Sequence, residues 1–86
     1  MSQLSQIKGQ ISQVATNVEQ TAGALNSFAQ NLQTHISVIS SAIGGTSSNE
    51  DKEMVAALQE GQRAVREAAV QLFQAAQKAK DWVSKA

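Results

Sequence analysis

Apolar residues recur every seven positions through the first half of the chain. If Leu4 is position a of a heptad, the a positions up to residue 39 are all aliphatic: Leu4, Ile11, Val18, Leu25, Leu32 and Ile39. The d positions, three residues further on, are Ile7, Val14, Thr21, Phe28, His35 and Ala42. Such a repeat is typical of helices that pack side by side. The pattern predicts one helix over residues 3–43, with an a/d seam that polar residues interrupt twice.

A short polar segment follows this helix. Residues 44–49 combine two glycines with threonine, serine and asparagine, residue types that favour turns and helix caps. The sequence therefore predicts a loop over residues 44–49, with a glycine ending the first helix. A capping box at the start of the next helix has two candidates, Ser47 with Glu50 and Ser48 with Asp51.

The remaining residues predict a second helix over 50–84. Its expected apolar stripe has Val55 and Phe73 at its edges and consists of Met54, Leu58, Val65, Ala69, Leu72, Ala76 and Val83. Small alanine side chains allow a neighbouring helix to approach closely. Because the loop is short, the two helices are expected to lie antiparallel. The fold class is therefore all-α, with residues 1–86 forming one helical-hairpin domain.

Composition and charge exclude several functions. Seven basic and seven acidic side chains give a net charge of zero, so the basic surface expected of a nucleic-acid-binding protein is missing. No cysteine is present, and only 3% of residues are aromatic, which argues against a cofactor cage. No apolar run reaches the roughly 20 residues that span a bilayer, and the N-terminus lacks the order of a secretory signal. We expect no cofactor, no nucleic-acid partner and no stable membrane insertion.

The apolar stripe of the first helix is too wide for one neighbouring helix to cover. After residue 21 the position following d also becomes apolar, at Ala22, Ala29, Ile36 and Ile43. A second hairpin docked on this stripe would bury its flanks. We therefore expect a four-helix bundle, formed by dimerisation with an identical chain or a similar one.

Three side chains have both a structural and a functional interpretation. His35 is the only histidine, and the first helix has no cysteine and no carboxylate within one turn of it. We therefore interpret His35 as a polar seam or edge residue and not as a metal ligand or general base. Trp82 and Phe73 lie beside the stripe of the second helix. Each is expected either to cover an edge of the hairpin or to contact a partner. We expect no catalytic residue, no metal ligand and no enzyme activity.

The chain resembles the WXG-type small helical-hairpin proteins of the type VII secretion system. The resemblance covers the whole length: fewer than 100 residues, no cysteine, a Gln/Ser-rich first helix, a central glycine turn and an Ala-rich second helix. The Trp-x-Gly motif is replaced by Ile43-Gly44-Gly45, as in a divergent or toxin-associated relative. The C-terminal signal of an aromatic residue followed four positions later by an acid is also missing, since Gln77 follows Phe73.

This resemblance implies a protein that acts by helix pairing. It would be secreted as a dimer without a classical signal peptide, remaining cytoplasmic before export, or would serve as a targeting partner of a toxin with a helical N-terminal domain. A structural alternative is a self-assembling needle-like or filament-like subunit. The width of the first helix's stripe and the edge positions of Phe73 and Trp82 predict a partner interface that contains Val18, Leu25, Phe28, Leu32, Ile36, Ile39, Ile43, Phe73 and Trp82.

Overall fold

Two long helices, packed against each other along their lengths, form the molecule. The computed structural model describes residues 2–44 and 48–86, with helix α1 spanning Gln3–Ile43 and helix α2 spanning Asn49–Lys85. They run antiparallel in a rod of 68 × 16 × 14 Å. The predicted all-α helical hairpin is confirmed. The predicted loop residues 45–47, including the Ser47 cap, lie outside the described residues.

Side-chain and glycine caps fix the helix ends. The Ser2 hydroxyl accepts a hydrogen bond from the Ser5 backbone N–H at 3.2 Å and caps α1. At the other end of α1, Gly44 has a φ of 33° and its N–H donates to the Ser40 carbonyl. A side chain at this positive φ would be strained, which explains why glycine ends the helix. Ser48 and Asp51 form the predicted capping box of α2.

The seam between the helices uses the a and e positions of α1, where e is the residue after d. The a positions from Ile11 to Ile39 are half-buried, and the most buried residues of α1 lie at e: Ala15, Ala22, Ala29 and Ile36. All six d positions are exposed. The expected a/d seam is therefore wrong for the contact within the hairpin. The alanines at e allow α2 to approach more closely than Phe28 or His35 at d would allow.

The seam positions of helix α2, like those of α1, recur at alternating intervals of three and four residues. Its buried and half-buried apolar positions are Val55, Leu58, Val65, Ala68, Ala69, Leu72, Ala76, Ala79 and Val83. Met54 and Phe73, which the sequence placed in or beside this stripe, are exposed. Ala69 and Ala76 are almost completely buried. Within the described residues no large side chain is fully buried, so the core of the hairpin is thin.

One buried polar residue links the two helices across this seam. Gln62 is 6% exposed, and its Nε2 donates a hydrogen bond of 2.9 Å to the backbone carbonyl of Ala29. The bond satisfies a polar group that would be costly to bury alone. It also favours one alignment of α2 along α1, because sliding either helix would break it. The heptad pattern of apolar residues does not predict Gln62 as a seam residue.

Helix α1 continues through Gly9 and Gly23, and an added Cβ would meet nothing within 4 Å at either position. Glycine costs about 0.5–1 kcal/mol relative to alanine in a helix interior. We expect Gly9→Ala and Gly23→Ala each to raise the free energy of unfolding by about that amount. Urea denaturation followed by circular dichroism would measure the gain, and a loss of stability in either variant would contradict this account of α1.

Within the described ranges neither helix is both long and apolar enough to cross a membrane.

Candidate protein-interaction face

The d positions of α1 form an exposed and largely apolar row along the rod. Val14 and Phe28 are 58% and 54% exposed, and Ile7 is also exposed. Thr21, His35 and Ala42 complete the row. Large apolar side chains in water are common individually, but several of them along one side of a molecule are typical of a contact surface.

The equivalent row of α2 lies on the same side of the hairpin. Glu19 of α1 lies on the flank of the seam away from the d row, and Lys80 of α2 forms an ion pair with it. This ion pair therefore identifies the side of the hairpin opposite the d row. The row of α2 away from this ion pair is Met54, Gly61, Ala68, Ala75 and Trp82. Together with the d row of α1 it forms what we call the apolar face. Met54 and Trp82 on it are 42% and 44% exposed.

The apolar face contains no acidic or permanently basic side chain. Its single ionisable member is His35, midway between Phe28 and Ala42. On the other side of the seam, α1 presents Glu19 in a row that otherwise contains only serine, asparagine and glutamine. The same side of α2 carries Lys52, Arg66 and Lys80, and Lys80 forms the ion pair with Glu19. A partner can therefore cover the apolar face without removing a fixed charge from water, and so avoids a desolvation cost of roughly several kcal/mol per ion.

The outer surface of α2 is stabilised by local polar contacts. Arg63 donates to the two carboxylate oxygens of Glu60 at 2.8 and 3.0 Å and forms an i,i+3 ion pair with it. The hydrogen bond to Glu60 and the negative charges of Glu60 and Glu67 raise the pKa of Arg63. Both side chains of the ion pair are mostly exposed, so its contribution to stability is small.

The predicted interface residues separate into three groups. Six lie in the seam between α1 and α2, with Ile36 buried and the others half-buried: Val18, Leu25, Leu32, Ile36, Ile39 and Ile43. Phe28 and Trp82 lie on the apolar face. Phe73 is exposed on the flank of α2 that carries Lys80. Of the residues expected at a partner interface, Phe28 and Trp82 therefore lie on the same exposed side of the hairpin, at different levels along the rod.

His35 is exposed on the apolar face rather than enclosed in the seam. In the described part of the chain, no three His, Asp or Glu side chains are grouped so that they could hold a metal ion. A depression on α2, open to solvent and lined by Arg63, Arg66, Glu67, Val70 and Gln71, lies on its outer surface. A ligand there would remain largely in water, so the depression lacks the enclosure typical of a small-molecule site.

The hairpin exposes more surface than a compact protein of its mass. A globular monomer of 9.1 kDa exposes about 4,900 Å², whereas this chain exposes 6184 Å². The radius of gyration is 19.4 Å, compared with about 12 Å for a compact chain of this length. The excess surface is roughly 1,300 Å². This excess reflects the elongated shape of two helices that contact each other along one line.

No protein-family model, curated protein or solved structure matches this chain.

Proposed function

We propose that this protein is a binding module that acts by pairing its apolar face with other helices to complete a four-helix bundle. The supporting observation is the exposed apolar face, which contains Phe28 and Trp82 and no Asp, Glu, Lys or Arg, on a hairpin whose own core consists mainly of alanine. A second helical pair would cover this face and supply the larger core that two helices cannot form alone.

The biological setting that fits this module is type VII secretion. The size, the absence of cysteine, the Gln/Ser-rich first helix and the Ala-rich second helix resemble the WXG-type hairpin proteins of that system. In this proposal the chain is exported as a dimer, or it pairs with the helical N-terminal domain of a toxin and targets it for export. Its role involves binding and no chemical reaction.

A second candidate function is a structural subunit of a needle or filament. Phe73 and Val70 are exposed on α2 away from the apolar face, and a chain with two separate apolar surfaces can form contacts that do not close. The two candidates share the helical hairpin and differ in whether assembly stops at a defined size.

Light scattering coupled to size-exclusion chromatography separates these candidates. A binding module is expected to give one complex of fixed mass over a wide range of protein concentrations. A mass that increases continuously with concentration would indicate open-ended assembly and support the filament subunit. A monomer of 9.1 kDa at every concentration, both alone and with candidate helical partners, would contradict both.

A further inference from the structure

A row of basic, polar and aromatic side chains lies on the side of the hairpin opposite the apolar face. Its members recur at seven-residue intervals along α2, and all are exposed: Lys52, Gln59, Arg66, Phe73 and Lys80. The ion pair of Lys80 with Glu19 places this row, which we call the basic row, directly beside the seam. In helix bundles the charges at such positions select the partner helix.

The hairpin neutralises one of the three cations in the basic row. Lys80 pairs with Glu19, the single charged residue in the α1 row that flanks this side of the seam. Across the two described segments of the chain, neither Lys52 nor Arg66 has an ion-pair partner. Helix α2 places no acid three or four residues from either of them, the spacing at which side chains of one helix meet. Two cations therefore remain available to carboxylates of another molecule.

An exposed apolar patch lies next to Arg66. Phe73 is 39% exposed, and Val70, about one turn before it, is 53% exposed. The open depression on α2 is lined by Val70 together with Arg63 and Arg66, so an apolar side chain resting there would lie beside a guanidinium group. Seven residues of helix measure about 10.5 Å, so Phe73 lies about that far from Arg66, and Lys52 lies about 21 Å from Arg66 in the other direction.

A helix with acidic and apolar residues at seven-residue intervals fits this arrangement. Lying along the rod, it places one carboxylate opposite Arg66 and an apolar side chain, one heptad away, over Phe73. A second carboxylate, two heptads from the first in the other direction, lies opposite Lys52. All helices rise by about 1.5 Å per residue, so equal spacing in the two sequences gives equal distances. Complementary charges of this kind favour one partner over others.

A nucleic acid does not match the basic row. Phosphates recur about every 3.4 Å along each strand, whereas Lys52 and Arg66 lie about 21 Å apart. The outer surface of α2 also carries acidic residues at seven-residue intervals, which would repel a phosphate backbone: Glu53, Glu60, Glu67 and Asp81. A helix with a few separate carboxylates avoids both difficulties.

We propose that the basic row binds an acidic amphipathic helix of another protein. Carboxylates of that helix pair with Arg66 and Lys52, and its apolar residue packs against Phe73 and Val70. This site goes beyond the proposed function, because the basic row and the apolar face lie on opposite sides of the hairpin. A chain whose apolar face is covered therefore still binds the acidic helix.

Selection from a displayed library of four-heptad helices tests this proposal. The library varies one heptad position through acidic, basic, polar and apolar residues on a fixed helical background, and the purified hairpin is the bait. We expect the enriched helices to carry an acid one heptad from an apolar residue. A selection that enriches no helix, or that enriches helices with basic residues at these positions, would overturn the proposal.

Arg66→Glu and its control Lys78→Glu locate the binding site of an enriched helix. Both positions are exposed, and Lys78 lies one turn before Trp82 on the other flank of α2. We expect Arg66→Glu to raise the Kd of the enriched helix about tenfold. Changing the facing acid of the helix to lysine is expected to restore binding to this variant. Lys78→Glu is expected to leave the Kd close to that of the natural chain.

The remaining outcomes separate this site from the apolar face. A helix that still binds Arg66→Glu but not Phe28→Asp would occupy the apolar face, which overturns this proposal and leaves the proposed function intact. Equal weakening by both glutamate variants would indicate a general charge effect and also overturn it. If Arg66→Glu lowers the mass of the protein alone in light scattering, the basic row binds a second copy instead, as in a filament subunit. Circular dichroism checks that each variant remains helical.

Discussion

Phe28→Asp is expected to abolish association of the chain while leaving the hairpin helical. Phe28 is 54% exposed and makes no essential contribution to the seam within the hairpin. In the complex, however, an aspartate at this position would be an unpaired charge buried in the centre of the apolar face. Burying such a charge costs about 3 kcal/mol or more, which corresponds to at least a roughly 100-fold increase in Kd. Sedimentation equilibrium measures the Kd, and far-UV circular dichroism checks helicity.

Asn26→Asp is the matched control for this variant. It adds the same charge two residues earlier on α1, at an exposed position on the flank that includes Glu19. We expect its Kd to stay close to that of the natural chain. If Phe28→Asp associates as tightly as Asn26→Asp, the apolar face is not the site of pairing.

Ala69→Leu is expected to give the largest loss of stability of the hairpin itself. Ala69 is completely buried where α2 packs against α1, so three additional carbon atoms must push the helices apart or distort neighbouring side chains. Overpacking of this kind costs about 1–3 kcal/mol. For a domain of this size, each kcal/mol lowers the Tm by about 4–8 °C. Thermal unfolding at one fixed protein concentration would measure the change, because association makes the Tm concentration-dependent.

Ala56→Leu provides the comparison for Ala69→Leu. Ala56 lies on the same helix and its side chain is exposed. Alanine and leucine have similar helix propensities, so the difference between the two variants reports on packing in the seam. Equal Tm values for the two variants would show that the alanines do not set the separation of the helices.

The helices and their ends could be predicted from the sequence because they depend on local chemistry. The heptad repeat, the glycine after Ile43 and the spacing of Ser48 and Asp51 are visible in neighbouring residues. Their structural consequences are the long α1, the positive φ of Gly44 and the capping box of α2. None of these requires knowledge of what packs against the helix.

The choice of seam could not be predicted, because it depends on both helices together. In the second half of α1 both the d and e positions contain apolar residues, so the pattern of α1 alone permits either row to face α2. The structure places the e row in the seam, where Ala22 and Ala29 allow close approach of a helix that presents Ala69 and Ala76. The d row, with its larger Phe28, remains exposed.

The burial of Gln62 was hidden for a similar reason. A glutamine among charged residues resembles an ordinary surface position when only the sequence is considered. It becomes a seam residue because the carbonyl of Ala29, 33 residues away, accepts its hydrogen bond. The acceptor is a backbone atom, and no sequence pattern identifies its position.

Trp82 allows the central claim to be tested within the natural chain, because it is the only tryptophan and lies on the apolar face. Acrylamide quenching of its fluorescence should be measured while the protein is diluted from a high concentration to a very low one. If the face is covered by another hairpin, quenching will be weak in the concentrated sample and will increase on dilution as Trp82 returns to water. Strong quenching that is the same at every concentration would contradict the claim.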